Sequence, residues 1–213
     1  MLELADAVEG SVIRVGAEAV VKEAYWRGVK LVMKHRLPKR YRSPHIDSRI
    51  RRSRTIHEAR TIKTLSEKGV PVPLVIFLDL KNYAIYMQRI MGQELRLIPN
   101  PLNYTARLGR AVGLMHKHDI SHGDLTLSNI LVDGSGGLWL VDFGLSMFNA
   151  DLEEKAVDIH LLERSAANSF PNIVGDFMES FMEGYKEVVG EEFVHQVVDK
   201  IGEIRSRGRY VER

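Results

Sequence analysis

His122-Gly123-Asp124-Leu125-Thr126-Leu127-Ser128-Asn129, with Asp142-Phe143-Gly144 beginning thirteen residues after Asn129, is the stretch on which the reading of this sequence turns. Between the two motifs lie an apolar run at 129–132, the turn Asp133-Gly134-Ser135-Gly136-Gly137, and a second apolar run at 138–141. That pattern predicts a short hairpin, with Asn129 at one end and Asp142 at the other. The loops at its ends therefore carry one amide oxygen and two carboxylates. Mg2+ takes oxygen ligands and keeps several waters, so one carboxylate and one amide oxygen, Asp142 and Asn129, suffice as its protein ligands. A carboxylate at Asp124 is placed to accept or orient the proton of an attacking oxygen.

Phosphoryl transfer from a nucleotide asks for these groups. Their order and spacing are those of the protein-kinase catalytic and metal loops, H-x-D-x-x-x-x-N and D-F-G. Working outward, Leu108, Ala111, Val112 and Met115 follow the i, i+3, i+4, i+7 rule of a buried helix stripe. Beyond Gly144 three helices are expected, at roughly 151–168, 172–188 and 191–207.

The first 90 residues read differently. SVIRV, AVVKEAY, VKLVMKH, LVIFLDL and YAIYMQRI are five short strands, with turns at Gly16-Ala17-Glu18, Arg27-Gly28 and, as a two-residue hairpin, Lys81-Asn82. One helix is inserted between the third and fourth strands, from an N-cap at Asp47 to Gly69. Arg51, Arg54, Glu58, Ile62 and Leu65 share a face of it. A carboxylate on such a face needs a cation, because an unpaired buried charge is costly. Lys34, at the end of the third strand, is that cation, and a Lys34–Glu58 pair would hold the ammonium toward nucleotide phosphates. By topology alone, Met87 would back an adenine pocket and the backbone from Gln88 to Met91 would meet the adenine edge. The boundary between a β-rich part, 1–90, and an α-rich part, 91–213, is drawn at Met91-Gly92-Gln93.

Composition narrows the classes. With 45% hydrophobic and 27% charged residues, the 213-residue chain is neither disordered nor fibrous. The absence of cysteine removes disulfides, iron–sulfur clusters, thiolate zinc sites and a cysteine nucleophile. No apolar run is long enough for a membrane span, and residues 1–12 lack the basic and apolar regions of a signal peptide. A soluble, cytoplasmic protein is expected. Net charge is +2, yet residues 34–54 hold nine Lys/Arg against Asp47 alone, leaving 21 Lys/Arg against 27 Asp/Glu elsewhere. A second basic stretch closes the chain with Arg205, Arg207, Arg209 and Arg213. Concentrated positive charge attracts polyphosphate or a nucleic-acid backbone, although a solvated helix face and a frayed tail would look the same. Of the eight histidines only His122 receives a role, as scaffold of the catalytic loop; His116 and His118 read as helix-end residues.

HGDLTLSN with DFG, MKHRLPKRYRSPHID (33–47), HEAR (57–60) and EKAVDIHLLER (154–164) together resemble one family. It is the bud-site-selection kinase family, the small atypical Ser/Thr kinase and ATPase subunit of the KEOPS/EKC tRNA threonylcarbamoyl-adenosine complex, in its archaeal-type stand-alone form. The resemblance implies an α+β, minimal two-lobed protein-kinase-like fold: a five-stranded antiparallel N-lobe sheet with one inserted helix, and a short, mainly helical C-lobe. It implies Mg2+ and ATP, autophosphorylation on Ser/Thr, and ATP hydrolysis. Asp124 would be catalytic, Asn129 and Asp142 the metal ligands, and Gly16, Ala17, Lys34, Glu58, Met87, Gln88 and Met91 the ATP-binding set. The partners implied are the threonylcarbamoyl-transferase subunit through the C-lobe, a small accessory subunit through the N-lobe, and tRNA through the complex. Arg205, Arg207 and Arg209 are the residues expected to meet tRNA or a partner.

Departures from an ordinary protein kinase point to a constitutively formed, slow site with little peptide specificity. The glycine-rich loop shrinks to Gly16, and Glu18 adds negative charge beside it. Gly123 stands where an Arg would read an activation-loop phosphate, Thr126 stands in place of a Lys, and no A-P-E segment follows. Two other classes stay open: a nucleotide-gated structural subunit of the complex, and a RIO-type or small-molecule phosphotransferase.

Overall fold

Alternation along residues 29–36 organises the first part of the molecule. The computed structural model describes residues 7–211, with side chains through Arg207. Five antiparallel strands, β1 (Ala7–Val15), β2 (Ala19–Trp26), β3 (Val29–Arg36), β4 (Val75–Asp79) and β5 (Ala84–Gln88), lie in the order β1-β2-β3-β5-β4. Helix α1 (Pro44–Glu67) is inserted between β3 and β4. Successive side chains of a strand point to opposite faces. Leu31 and Met33 thus join Ala24, Ala84 and Tyr86 in a buried cluster, where Phe77 stacks on Tyr86 at 4.2 Å. Val32, Lys34 and Arg36 take the other face, with Met87 and Ile85 across from Val32 and Lys34 on β5.

The β2–β3 turn is the expected Arg27-Gly28, both at positive φ (48° and 80°), the type I′ geometry that matches strand twist. Two local expectations fail. Asp47 is not the N-cap of α1: the helix opens at Pro44, whose missing N–H costs nothing in a first turn. Asp47 instead lies buried one turn in, accepting Lys39 N–H (3.2 Å) and Arg51 Nε–H (2.7 Å). The β4–β5 connection is longer than two residues, since Asp79 pairs with Ala84; the Asp79 carboxylate caps it by accepting the N–H groups of Lys81 (2.9 Å) and Asn82 (3.0 Å).

The chain divides into two units. The first takes residues up to Thr64 with Pro73–Ile90; the second takes Leu65–Val72 and everything from Met91. In the second unit, β6 (Gly92–Glu94), helix α2 (Leu102–Lys117), β7 (Ile120–Ser121), β8 (Ile130–Asp133), β9 (Leu138–Leu140) and β10 (Met147–Phe148) are followed by α3 (Leu152–Ser169), α4 (Val174–Val189) and α5 (Glu191–Val211). The hairpin of β8 and β9 is as expected, with β6 added on the β8 side, and β7 pairs with β10. Leu140 N–H donates to Pro71 O at 2.8 Å, which ties the segment after α1 to this unit.

Helices α2 and α4 approach closely. A Cβ on Gly109 would lie 2.0 Å from Phe181 O, and one on Gly184 1.9 Å from Ala106 O. Helix α3 begins with a capping box: Asp151 accepts Glu153 and Glu154 N–H, and the Glu154 carboxylate accepts Asp151 N–H at 2.7 Å. Among the described residues no helix is long and apolar enough to cross a membrane.

Candidate active site

Each unit carries its own group of charged side chains. In the first, period two along β3 puts Lys34 and Arg36 on one face, and the helical repeat of α1 puts Glu58 against them. Lys34 Nζ donates to Glu58 Oε1 at 2.7 Å, and Arg36 Nη2 to Glu58 Oε2 at 2.5 Å. All three residues are buried, Glu58 to 1% exposure. Glu58 therefore meets the cation the sequence demanded and a second one that was not foreseen. Arg36 had read as part of an undifferentiated basic run.

The turn Gly16-Ala17-Glu18 joins β1 to β2, closed by Gly16 N–H donating to Ala19 O at 2.9 Å. Partial burial pushes the Glu18 carboxyl up, but the Arg54 hydrogen bond and the charges of Arg54, Arg36 and Arg42 outweigh it and hold the group below the usual carboxylate range. Met87 is buried in β5, opposite Val32. Gln88 is tied to Leu74, its N–H donating to Leu74 O (2.8 Å) and its Oε1 accepting Leu74 N–H (3.3 Å). Met91 belongs to the second unit, at the start of its longer segment, and is 64% exposed.

In the second unit Asp124, Asn129 and Asp142 stand on the loop after β7, at the start of β8 and just past β9. Asn129 Nδ2 donates both to the Asp124 carboxylate (Oδ2, 2.9 Å) and to the Asp124 carbonyl (2.9 Å). The buried Asn129 Oδ1 has no hydrogen-bond partner. A buried acceptor left unpaired is costly, and an amide oxygen is a ligand that a hard dication takes. Asp142 adopts φ +68°, a left-handed conformation that Asp tolerates better than most residues. Among the described residues no group of three His, Asp or Glu side chains could hold a metal. The donor set here is of another kind, one amide oxygen and one carboxylate, and it fits Mg2+ with its retained waters.

The loop that carries Asp124 is held from below. Asp158 of α3, fully buried, accepts His122 N–H (2.5 Å) and Gly123 N–H (2.8 Å). His116 Nε2 is 3.2 Å from Asp158 Oδ2, and its Nδ1 is 2.9 Å from the Tyr185 hydroxyl. Burial first, and the Asp158 charge second, push the Tyr185 phenol above its ordinary value. His122 Nδ1 accepts Asp124 N–H (3.3 Å), which leaves Nε2–H to donate to Val141 O (3.2 Å). Burial pushes the His122 imidazolium pKa down, against the pull of Asp158, Asp142, Val141 O and Asp124. Gly123 has φ +77°, and a Cβ there would lie 2.1 Å from Leu145 O. No side chain fits where an ordinary kinase carries its Arg.

The structure adds to the sequence reading at three points. His116 stands in the last turn of α2 as read, but it is buried and links α2, α3 and α4. Asp158 and Tyr185 had no assigned role, and their partners lie 35 to 69 residues away in sequence. The described part of the basic end is helical, the last part of α5, where Arg205 pairs with Glu163 and Arg207 with Glu153 (2.8 Å) and Glu203 (3.6 Å). Arg209 lies in that helix with its side chain outside the described part, and Arg213 lies outside the described residues.

Comparison with known proteins gives the following. The RIO domain family model matches residues 26–170. KEOPS complex subunit Bud32 from Pyrococcus abyssi is 38% identical over 94% of this chain and 96% of its own. The probable serine/threonine-protein kinase BUD32 homolog of Archaeoglobus fulgidus is 36% identical over 94% of this chain and 97% of its own. A probable bifunctional tRNA threonylcarbamoyladenosine biosynthesis protein from Methanobrevibacter smithii is 36% identical over 94% of this chain, which spans only 37% of that longer protein. Among solved structures, the Rio2 kinase–ADP/Mg2+–phosphoaspartate complex from Chaetomium thermophilum superposes with a TM-score of 0.66 at 20% identity, covering 96% of this chain and 72% of that one. That last likeness speaks to fold.

Proposed function

We propose, from the premise that this chain belongs to the RIO-domain family and within it to the Bud32 kinases, that it is an Mg-ATP-dependent phosphotransferase and ATPase. We infer further that it phosphorylates itself on Ser/Thr and works as a subunit of a KEOPS-type assembly in tRNA threonylcarbamoyl-adenosine modification. There it would meet the threonylcarbamoyl-transferase subunit through its helical part and a small accessory subunit through its sheet part. The observation that carries the chemical reading is the buried Asn129 Oδ1, unpartnered while its own amide clamps the carboxylate of Asp124.

In this reading Asp142 and Asn129 Oδ1 would hold Mg2+, which when bound would supply positive charge to neutralise the phosphates. Lys34, steadied by Glu58, presents its ammonium to the nucleotide phosphates. The Asp124 carboxylate, its rotamer fixed by Asn129 Nδ2, takes the proton from the attacking hydroxyl or water at its free oxygen. Val141 O and His122 keep the loop backbone in register beneath it. Gly16, whose own N–H closes the turn on Ala19 O, lets the backbone come close to the phosphates, Ala17 would offer its N–H there, and Met87 would form an apolar wall for the base.

The test is turnover of γ-labelled ATP with Mg2+ by wild type and Asp142→Asn, following free phosphate and protein-bound label in parallel. Each is measured with and without the transferase subunit and tRNA. Free phosphate that rises with partner and tRNA, and that Asp142→Asn abolishes, is the expected result. Label transferred mainly to added proteins, indifferent to tRNA, overturns the role within the modification assembly.

A further inference from the structure

The turn Gly16-Ala17-Glu18 poses a problem for the nucleotide reading, because a carboxylate beside phosphate-binding backbone repels phosphate. The side chain is directed elsewhere. Glu18 Oε2 accepts from Arg54 of α1, and Arg36 Nη1 lies 3.8 Å from the same oxygen. Arg42 Nη2 is 3.8 Å from Oε1. Three guanidiniums therefore surround one carboxylate that is 40% exposed. The backbone of the turn is tied down on the same side: Leu37 N–H donates to Glu18 O at 3.2 Å, and Lys39 Nζ donates to Ala17 O.

Arg36 makes this more than a surface cluster. It is buried, it faces Glu18 with one guanidinium nitrogen, and it bonds Glu58 Oε2 with the other at 2.5 Å. The remaining oxygen of Glu58 carries Lys34 at 2.7 Å. One continuous string of alternating charge runs Glu18, Arg36, Glu58, Lys34. A glycine-rich loop gains its order by closing over bound nucleotide. This turn, with a single glycine, is ordered beforehand by ion pairs to α1 and β3.

We propose that Glu18 is a positioning residue that latches the nucleotide turn to Arg54 and Arg36 and thereby sets how Glu58 is shared between Arg36 and Lys34. The inference rests on the phosphotransferase reading given above. With the latch intact, Arg36 is divided between two carboxylates and Lys34 keeps its share of Glu58. Without Glu18, Arg36 bears on Glu58 alone and competes with Lys34, while the turn loses its side-chain anchors.

The alternative role for Glu18 is that of a bystander charge, and it predicts the opposite sign. Removing a bystander carboxylate near phosphate lowers KM for ATP; removing a latch raises it. The experiment uses the full chain as wild type, Glu18→Gln, Arg54→Gln and the double variant. KM and kcat for Mg-ATP and amide hydrogen exchange of the nucleotide-free protein at residues 16–19 are measured. For a partly exposed cluster the expected rise in KM is about three- to ten-fold in each single variant, with kcat changed less than two-fold. The double variant should be no worse than the poorer single, because Glu18→Gln already removes the Arg54 contact together with those of Arg36 and Arg42. Exchange at 16–19 should quicken in all three.

A KM lowered by Glu18→Gln overturns the latch, as does a double variant in which the two effects cancel. Faster exchange with unchanged KM in both single variants also overturns it, because the turn would then be anchored without positioning nucleotide. If the wild type itself neither binds nor turns over Mg-ATP, the phosphotransferase reading fails instead. In that case the exchange data still report on their own whether Glu18 orders the turn.

Discussion

Replacing Asp158 by Asn tests whether a buried carboxylate, and not local loop chemistry, holds the candidate catalytic loop in place. The carboxylate accepts His122 N–H, Gly123 N–H and His116 Nε2 with both oxygens and no exposure to solvent. An amide keeps one acceptor and turns an NH2 toward a donor. One charge-assisted bond is lost, at about 1.5–3 kcal/mol, and one buried N–H is left unpaired, at about 1–3 kcal/mol. Relief of the buried charge's desolvation offsets part of this, so the expected loss is about 3–4 kcal/mol. For a chain of 213 residues the unfolding entropy near Tm is roughly 0.45 kcal/mol/K, which converts the loss to a fall in Tm of about 7–9 °C. Tyr185→Phe removes only the outermost hydroxyl of the chain and should cost about 1 kcal/mol. Thermal melts of both variants, hydrogen exchange at the His122 and Gly123 amides, and ATP turnover are the assays. Asp158→Asn should quicken exchange at both amides and lower turnover at least about ten-fold, since sub-ångström misplacement of a catalytic group is already costly. A fall in Tm below about 2 °C with exchange and turnover unchanged would refute the reasoning.

Gly123→Ala should destabilise by several kcal/mol, about as much as a buried backbone clash at a positive φ allows, because its Cβ would lie 2.1 Å from Leu145 O; urea unfolding measures it. Glu58→Gln removes a negative charge that the buried Lys34 and Arg36 share, and a loss of about 3–5 kcal/mol is expected in the same assay. On acidification, His122 with its lowered pKa contributes stability present above its unfolded value near 6.5 and lost as pH falls through that region. Tm should therefore decline first below about pH 6.5, and His122→Gln should remove that step. Asp133, held low by Ser135, Trp139 and Gly137, contributes stability present above its unfolded value and lost only in stronger acid, near pH 4 and below. Asp133→Asn should shrink that second decline.

Much of the fold could be read from local pattern. The apolar runs gave the five strands, the Arg27-Gly28 dipeptide a turn between the second and third, and the stripe Leu108, Ala111, Val112, Met115 the buried side of α2. The helical repeat in α1 marked Glu58 as a carboxylate in need of a cation, and the kinase pattern of a lysine at the end of the third strand supplied Lys34; Arg36, on the same face of β3, was passed over. What escaped was either very short or very distant. Strands β6, β7 and β10 have two or three residues each, too few to show any period. His116, Asp158 and Tyr185 come from three helices, and nothing in the local sequence of any one marks the other two. His116 at a helix end has an adequate local explanation in the dipole, which is why its burial was not foreseen. Charge counting at residues 34–54 could not show pairing for a related reason. Of that basic run, Lys34, Arg36, Arg42, Arg51 and Arg54 face Glu18, Asp47 or Glu58, which lie on the turn and on α1.

The glycine at 123 and the carboxylate at 158 belong to one arrangement. In kinases that are switched by phosphorylation, an arginine of the catalytic loop reads a phosphate on the activation segment, and the loop's order is conditional on that charge. Here the position cannot carry any side chain, because the backbone of Leu145 occupies the space a Cβ would need. The Gly123 N–H that remains is directed to a buried carboxylate on α3. His116 braces the same carboxylate and is itself fixed by Tyr185 of α4. The order of the loop is thus drawn from permanent, solvent-excluded hydrogen bonds between helices. Such bonds do not respond to modification of a surface residue, and breaking them costs global stability as well as loop geometry. In this fold the integrity of α2, α3 and α4 takes the place of the activation-loop phosphate as the condition for an ordered Asp124.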